Sequence, residues 1–206
     1  VTAGSREALL AADAWLAAHA PPFPVPLGDH AAAVEGAVAG LGNGDWWVPG
    51  LRERAGAVLR GLSVERVRDP WAGSGPYKVA PALPSPAGRA LAAVGLALAD
   101  ANKAALVHLG VGSTSDGAFH EALNLAALHR PTVLFLVTVH PLDGRAPLGR
   151  QLASSLQALA AAFGIGHAVV DATDATAVAG AVRAARDARG PHLVEARLPA
   201  SKEHSA

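Results

Sequence analysis

Cysteine is absent from the 206 residues, which excludes a disulfide framework, a thiolate metal site and a cysteine nucleophile. Net charge is absent too. Lys+Arg and Asp+Glu are both 17, so no positive field gathers nucleic acid or anionic lipid. Long apolar runs are missing: stretches such as residues 90–99 fall well short of the ~20 needed to span a bilayer. In the opening stretch, Arg6, Glu7 and Asp13 break up any signal-peptide core, so it reads as an amphipathic helix. A cytoplasmic protein is the expectation. What is present is 51% hydrophobic and only 17% charged residues, a balance that suits one compact domain burying helices on both faces of a sheet.

The first 84 residues read mainly as helices. Ser5 is placed to cap a helix running to about His19, residues 21–26 with their repeated proline form an extended connection, and Asp29 is placed to cap a second helix ending at Gly42. Short helices are expected after Pro49 and after Ser63, with an irregular Gly/Pro-rich segment from Trp71 to Pro84. From Ser85 onward the pattern alternates regularly. A helix opens at Ser85-Pro86 and ends near Asn102. Strands are expected at 105–109, 132–137, 167–171 and 192–196, and helices at 117–129, 151–163 and 175–188. Such alternation predicts an α/β fold, a parallel sheet of at least four strands covered on both faces.

The segment Gly110-Val111-Gly112-Ser113-Thr114-Ser115-Asp116-Gly117 leaves a strand and enters a helix, the place where open α/β sheets bind ligands. Glycine permits close backbone approach, and a helix N-terminus offers N–H groups to an anion. Gly110, Gly112, Ser113, Thr114 and Ser115 are therefore the candidate binding residues, although such loops also serve simply to turn the chain.

The longer string from Gly110 to Leu128 resembles the α subunit of the heteromeric 2-oxo acid dehydrogenases, the thiamine-diphosphate-dependent decarboxylating components acting on pyruvate and branched-chain 2-oxo acids. Residues 131–136 and 190–196 look like later strands of that family, and residues 44–54 like the segment carrying its Tyr-Arg pair near the cofactor diphosphate. The resemblance implies a thiamine-diphosphate-binding-like domain, thiamine diphosphate and Mg²⁺ as cofactors, and a β subunit whose glutamate activates the aminopyrimidine. Chemistry at the thiazolium belongs to the cofactor once it is positioned.

Departures from the family are concentrated at the metal. Its Gly-Asp-Gly signature places the coordinating Asp at Val111, and its Asn-Asn pair falls on Thr138 and Val139. Mg²⁺ wants an octahedral set of oxygens, and valine offers none. Thr138 has a neutral hydroxyl, and His140 or Asp143 is near enough in sequence to reach in. The Tyr-Arg pair appears as Leu51-Arg52, which leaves Arg52 as a candidate diphosphate ligand. Arg89 stands in the region of a family glutamine. Two arginines near a helix N-terminus could hold an anion without metal, or both could lie solvated at the surface. Relative to the family, the sequence stops at Ala206 before a histidine-bearing loop, for which His204 is a poor substitute.

Other chemistries fit less well. Ser115 with Gly117 imitates a nucleophile elbow, but its first position is Ser113 rather than glycine, and only His192 and His204 follow Asp171. His120-Glu121 would need histidine at Asn124 for a zinc protease helix. His108 should hydrogen-bond locally within a buried strand, and Trp46, Trp47 and Trp71 read as half-buried packing. Phe119, Leu123 and Leu125 read as core or interface. Three functions follow: a degenerate α-like subunit acting with a β-like partner or as a homodimer; a working α subunit with an unusual diphosphate anchor; and a binding module for another phosphorylated ligand.

Overall fold

A computed structural model describes residues 3–20, 25–82, 85–140 and 148–199. Five parallel strands form one sheet in the order β1-β2-β3-β5-β4: β1 (Trp46–Val48), β2 (Ala105–Gly110), β3 (Val133–Val139), β4 (Gly166–Asp171) and β5 (His192–Arg197). The central β3, Val-Leu-Phe-Leu-Val-Thr-Val, is buried along its whole length, as a parallel strand covered on both faces must be. Edge strand β4 is only partly covered.

Eight α-helices are described: α1 (Ala3–His19), α2 (Ala31–Gly40), α3 (Val64–Val67), α4 (Pro86–Ala99), α5 (Gly117–His129), α6 (Leu148–Gln151), α7 (Leu156–Ala162) and α8 (Ala175–Ala188). Helices α1, α2 and α8 pack with Leu106, Leu134, Leu136 and Val194 on one face of the sheet. On the other face α4, α5 and α7 cover Val107, Phe135, Val137 and Leu193, with Phe119 and Leu123 in that core and Leu125 against it. The α/β expectation with helices on both faces is met.

Several local expectations are corrected. Trp46, Trp47 and Val48 form a fifth strand, paired in parallel with Ala105, Leu106 and Val107, where only helices were expected. Three residues are too few to display a period-2 pattern, and pairing with β2 decides the conformation. Trp47 is consequently fully buried, whereas Trp71 is 61% exposed; only Trp46 is half-buried. Ser5 lies inside α1 and donates to Glu35 at 2.5 Å rather than capping. Asp29 sits in a 3-10 turn over Gly28–His30 and does not cap α2. The helix after Pro49 is a 3-10 stretch over Glu53–Arg60, ended by Gly61 in the left-handed region at φ 98°. The helix expected over 151–163 is interrupted: α6 ends at Gln151, and Ser155 caps α7 by accepting from the Ala158 N–H at 3.0 Å. Ser85 does cap α4, accepting from Gly88 at 3.2 Å.

Candidate functional site

Because all strands are parallel, β1, β2 and β3 deliver the segments that follow them to one edge of the sheet. Gly110 and Thr138 are direct register partners there, so the loop after β2 and the end of β3 adjoin. The loop is not a simple entry into α5. Val111–Ser115 form a 3-10 turn, closed by the Thr114 hydroxyl donating to the Val111 carbonyl at 2.7 Å and Ser115 donating to Gly112 at 3.1 Å. His120 contacts the Thr114 carbonyl at 2.8 Å, so its role is to brace this turn. Ser113 and Thr114 are buried; Ser115 is exposed and donates to Gln151 at 2.7 Å.

The end of α5 departs from expectation as well. Its N-cap is Asp116, whose carboxylate accepts the Ala118 N–H at 3.0 Å, so the helix dipole is already matched by a resident negative charge. Gly110, Gly112 and Gly117 have nothing within 4 Å of a hypothetical Cβ, and none has positive φ. Neither packing nor backbone conformation therefore demands glycine in this loop, and the backbone lies open to approach from outside.

Metal positions offer less. Val111 is buried and apolar, Thr138 is buried on β3, and Val139 packs into the core. Among the described residues no group of three or more His, Cys, Asp or Glu is placed to hold a metal ion. These residues do not fit Mg²⁺ in the manner the resemblance implies, since no carboxylate oxygen stands at either position. Asp143 and His204 lie outside the described residues.

The arginines are not a pair. Arg52 is half-buried and donates to the Pro26 carbonyl at 2.7 Å. Arg89 is buried, donates to the Ala82 carbonyl at 3.0 Å, and has its guanidinium end against Gly50 beside the Glu53 carboxylate. Burial lowers its pKa while Glu53 opposes the fall. It is an internal counter-charge, not a surface anion ligand.

Arg89 belongs to a polar cluster that sequence spacing did not announce. His30, Glu53, His108 and His140 come from four separate segments to the same edge of the sheet. His30 Nε2 and His140 Nε2 are 2.9 Å apart, and His30 Nδ1 is 3.4 Å from Glu53 Oε1. Burial acts to raise the Glu53 pKa, but interaction with His30 and the charges of His108 and His30 outweigh it and hold the carboxyl at about 2. His108 is corrected most sharply. Its ring stands edge-on to Trp47 at 5.8 Å, and neither ring nitrogen has a hydrogen-bond partner. Burial pushes it down to about 4, against the pull of Glu53 and with help from His30 and Arg89. At neutral pH it is uncharged, so the Arg89 guanidinium compensates the Glu53 charge. The only signal in the sequence was histidine inside an otherwise apolar strand and a glutamate next to Arg52.

The hydrolase arrangement fails on topology. His192 opens β5 and packs against Gly166, at the opposite end of the parallel sheet from Ser115.

A parallel sheet covered by helices on both faces, with a glycine turn at its carboxyl edge, is an α/β fold of the thiamine-diphosphate-binding-like class. Solved structures agree on the fold. A transketolase from Pichia stipitis superposes with TM-score 0.67 at 24% identity, covering 95% of this chain and 36% of its own. A putative thiamin diphosphate-dependent enzyme from Mycobacterium smegmatis gives 0.56 at 21%, covering 82% and 31%. The model of the dehydrogenase E1 component family matches residues 73–205, and the chain belongs to that family. It is 34% identical over 80% of its length to the 3-methyl-2-oxobutanoate dehydrogenase subunit alpha of Mycobacterium tuberculosis, covering 49% of that protein. Against the pyruvate dehydrogenase E1 component subunit alpha of Mycoplasma genitalium it is 30% identical over 84%, covering 52%. The chain thus spans about half the length of these curated relatives. Among the described residues no helix is long and apolar enough to cross a membrane.

Proposed function

We propose that this chain is an α-subunit-like member of the E1 family that does not hold Mg²⁺–thiamine diphosphate through the family's ligand pair and works with a partner, a β-like subunit or a second copy. The observation that carries this reading is the buried valine at position 111, next to Gly110, which pairs with Thr138 at the end of β3; where the family resemblance implies metal ligands, this chain has Val111, Thr138 and Val139. An apolar side chain in the core gives a divalent cation nothing to replace its water. The reading treats residues 1–206 as a single cytoplasmic domain, with the open turn at Gly110, Gly112, Ser113, Thr114 and Ser115 retained from its relatives.

That same turn supports a second reading, in which its backbone and the half-buried Arg52 hold the diphosphate of thiamine diphosphate without the standard metal. Calorimetric titration separates the two. On the first reading, thiamine diphosphate gives no heat of binding with or without Mg²⁺, and a β-like subunit does not restore it. Micromolar binding that requires Mg²⁺ overturns it. Binding that is indifferent to Mg²⁺ and weakened by Arg52→Ala establishes the second.

A further inference from the structure

We propose that the amino edge of the sheet, the end opposite the Gly110 turn, carries a binding site for the phosphate group of a small molecule. A cavity of about 190 Å³ opens there, lined among others by Asp45, Lys103, Thr132, Arg186, Asp187 and Arg189. These residues stand just before β1, β2 and β3 and at the end of α8, so segments remote in sequence converge on it. Arg186 Nε donates to the buried Asp45 carboxylate at 2.7 Å, and that carboxylate also accepts the backbone N–H groups of Gly42 and Ala104. Asp187 stands 3.6 Å from the same guanidinium. Lys103 and Arg189 belong to no ion pair among the described residues. Both carboxylates of the lining are thus beside Arg186, and the other two cations are left without a counter-charge.

Helix C-termini attract cations, and Arg189 does serve that end: it follows α8 and donates to the Ala101 carbonyl at 3.0 Å. Three features go beyond dipole matching. Arg189 lies at φ 61° and ψ 163°, a backbone region almost reserved for glycine, and residues held there cluster at ligand clamps. Lys103 lies across Gly44, where a Cβ would come 2.5 Å from its Cε, so glycine at that position lets the side chain lie flat along the backbone. Thr132 is 6% exposed, yet its hydroxyl makes no hydrogen bond among the described residues. An ammonium, a guanidinium fork and a hydroxyl from three segments suit a tetrahedral oxyanion with three free oxygens better than a planar carboxylate with two. Volume sets the size of the ligand. The cavity is smaller than the ~300–1,000 Å³ that encloses a drug-sized molecule, so inorganic phosphate or a short phosphomonoester fits and a nucleotide does not. The Gly110 turn and Arg52 follow β2 and β1 at the carboxyl edge, so this site is independent of them and stands whether or not thiamine diphosphate binds.

Calorimetric titration of the chain with sodium phosphate and with glycerol 3-phosphate, in buffer of low ionic strength, is the test. The expected result is saturable binding of one anion per chain. Tighter binding of inorganic phosphate identifies the free ion as the ligand, and tighter binding of glycerol 3-phosphate a phosphomonoester. Lys103→Gln and Arg189→Gly should each weaken binding about tenfold, the loss of one charge-assisted hydrogen bond. Glycine adopts the backbone angles of residue 189 without strain, so Arg189→Gly should remain folded while losing affinity. Arg52→Ala should leave binding unchanged. The proposal is overturned if neither probe binds, if chloride competes equally well at the same concentration, or if Lys103→Gln and Arg189→Gly bind as tightly as the unsubstituted chain. Loss of binding in Arg52→Ala also overturns it, by assigning the phosphate to the carboxyl edge. Thermal melts check folding. Should Lys103→Gln unfold the protein, Arg189→Gly carries the test alone.

Discussion

His108 sets the acid sensitivity of the fold at the scale of a single residue. Its folded pKa of about 4 lies below the ordinary 6.5, so between those values the unfolded chain binds a proton that the folded chain refuses. Stability from this group is intact above pH 6.5 and falls as pH drops toward 4, by about 3 kcal/mol in total. Glu53, held at about 2 against 4.5, contributes stability that is present above pH 4.5 and lost as pH falls further toward 2. Urea denaturation at stepped pH should therefore show stability declining in both windows. His108→Leu should flatten the upper one and, because the His108 charge helps to lower the Glu53 pKa, shrink the lower one as well; an unchanged curve between pH 6.5 and 4 would mean that another group titrates there. None of this was legible beforehand, because a histidine's pKa depends on which segments surround it, and residues 30, 53 and 89 are remote in sequence.

At the scale of elements, the contact of α2 with α8 depends on glycine in a way that the exposed Gly180 of α8 does not. A Cβ at Gly36 would lie 2.5 Å from the Ala175 carbonyl oxygen and 2.7 Å from Val178 Cβ, and one at Gly40 would lie 2.6 Å from Val182 Cβ. Backbone and β-branched carbons cannot swing aside, so Gly36→Ala should cost about 1–3 kcal/mol by forcing the helices apart. Gly180, exposed within α8 with nothing within 4 Å, should behave oppositely: Gly180→Ala gains about 1 kcal/mol of helix propensity. Chemical denaturation of the two variants gives opposite signs if this packing is right. The elements legible in the sequence were those with a full period of pattern, from α4 through β5. Those that escaped were decided by partners or local bonds: β1 by pairing with Ala105–Val107, and the break before α7 by the Ser155 hydroxyl. At the candidate site, the chain positions of Gly110 and Thr138 were legible, while the Asp116 cap and the inward turn of Arg89 were not.

For the whole molecule, direction of travel decides which surface can meet a partner. Helix α4 precedes β2 and α5 follows it, so both run from the carboxyl edge of the sheet to the amino edge and end there side by side. Leu98 and Leu128, one in the last turn of each helix, are 47% and 68% exposed. They sit at the same end of the same outer layer. Scattered apolar side chains are ordinary on a protein surface, but two large ones on packed neighbouring helices form the start of a patch that water disfavours. An isologous contact between two such layers, or one with a homologous subunit, would cover them. Light scattering after size exclusion should therefore give a dimer at micromolar chain concentration, or a heteromer when a β-like subunit is supplied. Leu98→Glu with Leu128→Glu should shift either species toward monomer with little change in thermal stability of the isolated fold, because neither side chain belongs to the buried core. A wild-type chain that remains monomeric alone and with the β-like subunit would show that this face is simply solvated.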